Sequence, residues 1–583
     1  MRETNMKKAI YKTQLLMAAI VAVTLLFAVS AQAAAPGIIG TGATAGTFSL
    51  IAKADYLSQP DGQAVYSWGY GCTTPPPSAS FVPSKLTRAG FCNPMQVPGP
   101  TLVVTENQSV TVTLTNSLPT AAGNTSILFP GFNVTTSCSA GTPVGQQGLL
   151  TCEATPGGTV TYTFTASSPG TRAYYSGTQG DLQVEMGLYG AIIVLPDPAK
   201  IPGACTKPSI RTNLYGVKDW ATNAGIPGAP EQDYRLAASA YDHPDTCYDR
   251  EYLFQFAEMD PRIHTQAEAQ VNAAGACTVG AAGCSLNVPT EPYHPAYFMI
   301  NGRSMPDDMD PNYASQYPHQ PYNGDPHMHP GELTLIRVIG QGRWQHPFHE
   351  HGNHVRILAR DGNLILSSTP TAIAYANGGF ASGLAGPLLF TTTTTPGLAF
   401  DGIFYWTAKG LNWDAYGHNA GSNDPLAALS CTPDANGYNT GNTAALNYFE
   451  WCQDHNKPLQ KAPFGDVAGG GPATLPDPNL FTNGAWYGGS PYLGPNATTR
   501  ATGCSTGLQA NGPNGTQPGA ACGQTGSTPP SGTIANPPGS EAGFAFMWHS
   551  HNEREITTNN IFPGGMLMMM LVDSREYVID ETN

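Results

Sequence analysis

His346-Pro347-Phe348-His349-Glu350-His351-Gly352 and, far downstream, His549-Ser550-His551 decide how this chain is read. Five of its 14 histidines lie in these two runs. Each run contains an H-x-H pair. On an extended strand residues i and i+2 point to the same side, so each pair aims two imidazoles at one point. Converging neutral imidazole nitrogens are what a copper or zinc ion requires. The two runs are therefore expected on strands of a β-fold.

The flanking sequence agrees. After the turn at Pro98-Gly99-Pro100, Val110, Val112 and Leu114 alternate with Thr111, Thr113 and Thr115. After Pro156-Gly157-Gly158, Val160, Tyr162 and Phe164 alternate with threonines. This period of two gives strands with one buried and one wet face. Gly187 to Val194 completes an expected antiparallel sandwich over 34–197. Further strands are expected at Glu251 to Met259, Phe298 to Ile300, Leu333 to Ile339, Asp401 to Thr407, Phe544 to Trp548 and Gly565 to Val572, forming a second sandwich within 198–583. Between about 409 and 541 periodicity fades; within 501–540, fifteen of forty residues are Gly or Pro. That stretch reads as a disulfide-pinned insertion in the second sandwich. The fold class expected is all-β, two sandwiches, with no long helices: 66 Gly and 51 Pro in 583 residues favour strands joined by turns.

The first 33 residues read as a secretory signal: Lys7, Lys8 and Lys12, an apolar run from Leu15 to Val29, then Ala31-Gln32-Ala33. The alternative, a membrane anchor, needs about 20 apolar residues. No later stretch is apolar enough to span a bilayer. An exported, periplasmic or extracellular protein is expected. Residues 1–33 carry a net +3, so the remainder stands at −18 against −15 for the whole chain. Such an acidic surface argues against nucleic acid as a partner. Twelve cysteines in an exported chain point to disulfides. Pairing of sequence neighbours would give Cys72–Cys92, Cys138–Cys152, Cys205–Cys247, Cys277–Cys284, Cys431–Cys452 and Cys504–Cys522. No C-x-x-C is present to suggest a zinc knot or thiol redox motif.

These residues together resemble the multicopper oxidase superfamily of cupredoxin-like sandwiches. Pro98-Gly99-Pro100-Thr101 is similar to its P-G-P-T, Gly187-Leu188-Tyr189-Gly190 to its G-L-x-G strand, and His346 to Gly352 to H-P-F-H-L-H-G. His549-Ser550-His551 followed by Gly565-Met566 is similar to H-C-H-x-x-x-H with its downstream methionine. The resemblance implies four copper ions on ten histidines and one cysteine, with electrons passing from a thiolate copper to a trinuclear cluster that reduces dioxygen. This chain departs from that pattern. Ser550 stands at the thiolate position and Glu555 at the following histidine, leaving His346, Glu555 and Met566 as a degenerate mononuclear set. The first-sandwich pairs expected near Ile127 to Phe132 and at Tyr175-Ser176-Gly177 are missing, and no histidine precedes His243.

What remains is His349, His351, His549 and His551. Four imidazoles suit one copper or zinc ion, or at most two. The plain alternative is that they hydrogen-bond within the fold as relics. Glu350 alternates away from the cluster and His354 falls off its axis. His327-Met328-His329 is a third H-x-H beside a turn. Tyr174 and Tyr175 take the place of lost ligands. Met566, Met568, Met569 and Met570 suit either copper(I) or core filling. Two functions follow: an oxidoreductase with a reduced copper inventory, served by a small-molecule or metal-ion reductant, or a non-catalytic metal-binding or scaffold module of the cell envelope. By analogy with two-sandwich relatives a homotrimer is expected; for the module, a redox protein of the cell envelope would be the partner.

Overall fold

The computed structural model describes residues 35–573 and Ile579, apart from 41–44, 84–85, 87, 139–144, 207–234, 375–379, 408–432, 436, 439–488, 494–533 and 536–542. Four large sheets form two sandwiches. The first faces a sheet ordered Gly170–Tyr175, Tyr189–Leu195, Leu102–Thr105, Gly37–Ile39, Phe81–Val82 against one ordered Ala64–Cys72, Ala45–Ser58, Ser109–Asn116, Thr159–Thr165, Thr135–Ser137. The alternation seen in sequence is realised: Val110, Val112, Leu114, Val160, Tyr162 and Phe164 are buried, and Val112 lies opposite Tyr162. Trp68, Tyr70 and Tyr174 join the same core. Tyr174 also explains Gly190 opposite it, where a Cβ would lie 2.4 Å from the tyrosine ring.

The sheets are not purely antiparallel as expected. Ala45–Ser58 runs parallel to Ser109–Asn116, and Tyr189–Leu195 parallel to Leu102–Thr105. Strands that cross between the two layers return in the same direction as their new neighbours, which local alternation does not reveal.

The second sandwich faces a sheet ordered Tyr297–Ile300, Arg250–Met259, Leu333–Gly340, Ala399–Tyr405, Val355–Arg360, Asn363–Leu364 against one ordered His327–Met328, Leu567–Asp573, Gly543–Ser550, His346–Glu350, Thr391–Thr394. Its core is aromatic and sulfur-rich: Phe254, Phe256, Phe348, Phe404, Trp406, Phe546 and Trp548 pack with Met566, Met568 and Met570. Burying each such side chain contributes roughly 1.5–3 kcal/mol. Gly489–Leu493 pairs with the first half of Gly543–Ser550, and Ile534–Ala535 pairs with Gly489–Leu493. The rest of the expected 409–541 insertion lies almost wholly outside the described residues, as do residues 1–33.

One element was not foreseen, the 14-residue helix Pro261–Ala274. Asp260 caps it through Arg262 N–H at 3.0 Å, proline opens it, and Gly275 at φ +55° ends it. Its Ile263 and Ala267 pack into the first core, and His264 Nδ1 lies 2.6 Å from Tyr66 O. The helix thus ties the second half of the chain to the first. At the same seam Thr171 donates to Asp401 (2.6 Å), as does Tyr241 (2.6 Å), while Arg337 pairs with Glu251 at 3.0 Å.

Cys72–Cys92, Cys138–Cys152, Cys205–Cys247 and Cys277–Cys284 are disulfides, each joining sequence neighbours as expected. Cys431, Cys452, Cys504 and Cys522 fall outside the described residues. Among the described residues, no helix is long and apolar enough to cross a membrane.

Candidate metal centre

His346–Glu350 and Gly543–Ser550 are antiparallel neighbours, with His349 directly opposite His549 and Phe348 opposite Ser550. That register decides the site. Phe348, Glu350 and Ser550 turn into the sandwich and are buried. The histidines flanking them turn the other way, so the two H-x-H pairs meet on the outer face. Ring centroids lie 4.8 Å apart for His349 and His351, 5.4 Å for His349 and His549, 5.2 Å for His351 and His549, and 4.7 Å for His349 and His551. His549 Nε2 stands 3.3 Å from His351 Nε2. One ring nitrogen from each of His349, His351 and His549 falls within 4.8 Å of the others. His551 closes the group from its exposed side.

Two of these rings are oriented by their other nitrogen. His349 Nδ1 lies 2.6 Å from Thr391 Oγ1, and His549 Nδ1 lies 2.6 Å from the Ser550 carbonyl. Nε2 of each is thereby directed at the cluster, the arrangement by which ligating histidines are usually held. Electrostatics favours the neutral, ligating form. Burial, with His351, His549 and His551 close by, pushes His349 down to about 4. Burial also lowers His549. Imidazoles converging on one point, with His349 and His549 held toward the neutral form, fit one divalent ion.

The second expected set is different. His346 is fully buried, with Nδ1 2.8 Å from Glu555 Oε2 and Nε2 2.9 Å from Glu258 Oε2. Burial acts to lower its pKa, but hydrogen bonds to Glu258 and Glu555 outweigh it and raise it to about 9. Ser550 Oγ donates to Glu555, and Asn552 Nδ2 donates to its other oxygen at 2.8 Å. Met566 is buried in the aromatic core, and its backbone N–H donates to the Glu555 carbonyl. A protonated histidine held between two carboxylates, with no thiolate, does not fit a blue-copper ion.

The remaining candidates, Glu350 apart, have structural partners. His327 lies 2.6 Å from Asp573 Oδ2 and 3.4 Å from Asp325 Oδ2. His329 Nδ1 lies 3.1 Å from the Asp573 carbonyl. Glu350 is buried with neither oxygen hydrogen-bonded among the described residues, and burial holds its carboxyl well above the usual range. His354 packs against Phe390. Tyr174 donates to the Pro100 carbonyl at 2.7 Å. Leu128, Tyr175, Ser176 and Gly177, at the positions of the missing first-sandwich histidines, line a cavity of about 310 Å³ with Gln341, Gly342 and Gly397 across the seam.

Sequence reasoning missed Thr391 and Glu258. Thr391 opens a run of five threonines, a pattern too plain to point at one hydroxyl. Glu258 is an acidic residue in the strand Arg250–Met259, which is buried along its whole length. A carboxylate near the end of a strand rich in apolar and aromatic residues was a signal available to be read.

Residues 80–199 match the family described as Multicopper oxidase. Laccase-3 of Botryotinia fuckeliana is 32% identical over 123 residues, 21% of this chain and 24% of the relative. L-ascorbate oxidase of Cucurbita pepo var. melopepo is 38% identical over 107 residues, 18% of each chain. Each match thus spans a quarter or less of the relative. Among solved structures, the multicopper oxidase mgLAC is similar at a TM-score of 0.39 and 12% identity, covering 92% of this chain and 88% of that one. A blue copper oxidase from Nitrosomonas europaea is similar at 0.38 and 13%, covering 90% and 85%. The sheet order is that of a protein built from β-sandwiches. More narrowly, residues 80–199 match a multicopper oxidase domain, a family that implies copper as cofactor.

Proposed function

We propose that this chain is an exported copper oxidoreductase whose metal inventory is reduced to one histidine-ligated ion, held by His349, His351 and His549 with His551 at its open side. The observation that carries this reading is the convergence of three imidazole nitrogens within 4.8 Å on two neighbouring strands. The family match spans residues 80–199, in the first sandwich, so the assignment of ligands stands on that geometry alone.

Copper bound there would supply one-electron redox chemistry and Lewis acidity. The chain's own residues supply the rest. Thr391 and the Ser550 carbonyl fix the ring orientations. The partial exposure of His349 and His351 and the exposure of His551 leave a small reductant room to approach. Phe390, half exposed and 5.8 Å from the His349 ring, offers it an apolar edge. With Ser550 and Glu555 at the thiolate and histidine positions, and no histidine before His243, the family's four-copper route to water is not expected. Zinc suits the same ligands, and binding of metal without turnover is the second outcome that the donor set allows.

Metal analysis of tag-free protein tests the reading. About one copper per chain is expected, lost in H349A/H351A, with no intense blue thiolate band. Oxidation of ascorbate, phenols, or ferrous or manganous ions should depend on copper loading. Copper uptake without turnover would leave a binding module; protein that resists loading with copper or zinc would overturn the centre altogether.

A further inference from the structure

We propose that Glu258, His346, Glu555 and Ser550 form a metal-free clamp at the place where the family's pattern puts a mononuclear copper, and that this clamp sets the spacing of the two H-x-H pairs. The proposal rests on the copper centre just described and deepens it. Ser550 lies between His549 and His551, on the opposite face of their strand. His346 begins the strand that carries His349 and His351. Glu555 joins the two, accepting from Ser550 Oγ and lying 2.8 Å from His346 Nδ1. Every side chain in this link is buried, so water does not compete for its hydrogen bonds.

The other end is anchored as firmly. Glu258 Oε2 lies 2.9 Å from His346 Nε2, while its Oε1 accepts from the backbone N–H of Arg343 (2.7 Å) and Trp344 (2.8 Å). Tyr293 reaches Glu258 at 3.2 Å and Glu185 of the first sandwich at 2.6 Å. Gly342 lets the loop wrap the carboxylate: its φ is +68°, and a Cβ would lie 2.4 Å from Glu258 Oε2. The clamp therefore fixes the first strand at its start and the second at its histidine pair. It also occupies both nitrogens of His346, so that ring has none left for a metal. Glu258, His346, Glu555 and Ser550 are positioning residues; none faces the imidazole cluster.

Copper(II) titration of metal-free full-length protein, followed by calorimetry and electron paramagnetic resonance, tests this. Ser550→Ala and Glu555→Gln should weaken copper binding about ten- to a hundred-fold, the usual cost of losing support behind a ligand, and broaden the copper spectrum with unchanged circular dichroism. Asp573→Asn, which removes the His327 partner in the same sandwich, controls for general destabilisation and should leave copper affinity within about two-fold. Ser550→Cys should give no intense blue band, because His346 stays bound to its carboxylates. Equal copper affinity in wild type, Ser550→Ala and Glu555→Gln overturns the clamp while sparing the copper centre. An equal loss in Asp573→Asn, or a blue band from Ser550→Cys alone, also overturns it. A wild type that binds no copper sinks both readings.

Discussion

At the scale of single residues, the proposed centre depends on groups outside its imidazole cluster. Thr391 leaves His349 one orientation by engaging Nδ1 at 2.6 Å. Thr391→Val keeps the shape and removes the hydroxyl, so the ring gains freedom and the site loses preorganisation. Copper affinity should fall about ten-fold, read by titration, with thermal stability shifted by less than a few degrees. Gly342 is constrained more severely. Gly342→Ala places a methyl against the Glu258 carboxylate at a positive φ. A loss of roughly 1–3 kcal/mol is expected in chemical denaturation; a neutral result would mean that the loop is free to move away.

At the scale of elements, buried histidines of opposite character share the second sandwich, and they give its stability two pH limbs. His346 is raised to about 9 by Glu258 and Glu555, and His327 is raised by Asp573 and Asp325 against the opposing effect of burial. A group whose pKa rises on folding stabilises fully below its unfolded value near 6.5, and that contribution is lost as pH climbs through the folded value. For His346 the shift corresponds to on the order of 3 kcal/mol. His349, lowered to about 4, and His549, lowered by burial, act in the other direction. Their contribution is present above about 6.5 and lost as pH falls, toward about 4 for His349, and it is reduced for His349 by partial solvent exposure. Metal-free protein should therefore be most stable near pH 6 to 7. His346→Gln should flatten the alkaline limb only, and His349→Ala the acid limb only; denaturation midpoints across pH 4 to 10 would show it.

Strand pairing explains what was legible beforehand. Alternation around Val112 and Tyr162 named its strands because each residue's face is set locally. The H-x-H pairs were visible for the same reason, and their meeting followed from one antiparallel register. Glu258 was not placed beside His346, because it is 88 residues away; Glu555, 209 residues away, was grouped with His346 through the family resemblance and not through local pattern. Nor was the helix Pro261–Ala274 read, although Asp260, Pro261 and Gly275 mark its ends. The count of Gly and Pro in the whole chain outweighed three local signals that were correct.

At the scale of the whole molecule, the two sandwiches are joined by buried charge rather than by a continuous apolar layer alone. Asp401 accepts from Thr171 and Tyr241 and lies 3.8 Å from Arg337, which is itself held by Glu251 at 3.0 Å. Arg337 and Glu251 are fully buried and Asp401 is 1% exposed. Removing one member of such a group strands the others without solvent, at a cost of about 3–5 kcal/mol. Asp401→Ala should therefore lower the unfolding midpoint sharply and separate the single transition into two, the first sandwich melting apart from the second. The proposed copper centre lies on the sheet opposite the one that carries Asp401, so the folded variant should still take up copper with near wild-type affinity. Calorimetry with and without copper distinguishes the cases. Copper should raise only the transition belonging to the second sandwich; a shift of both together would mean that the seam survives without Asp401 and that the two sandwiches are coupled by other contacts.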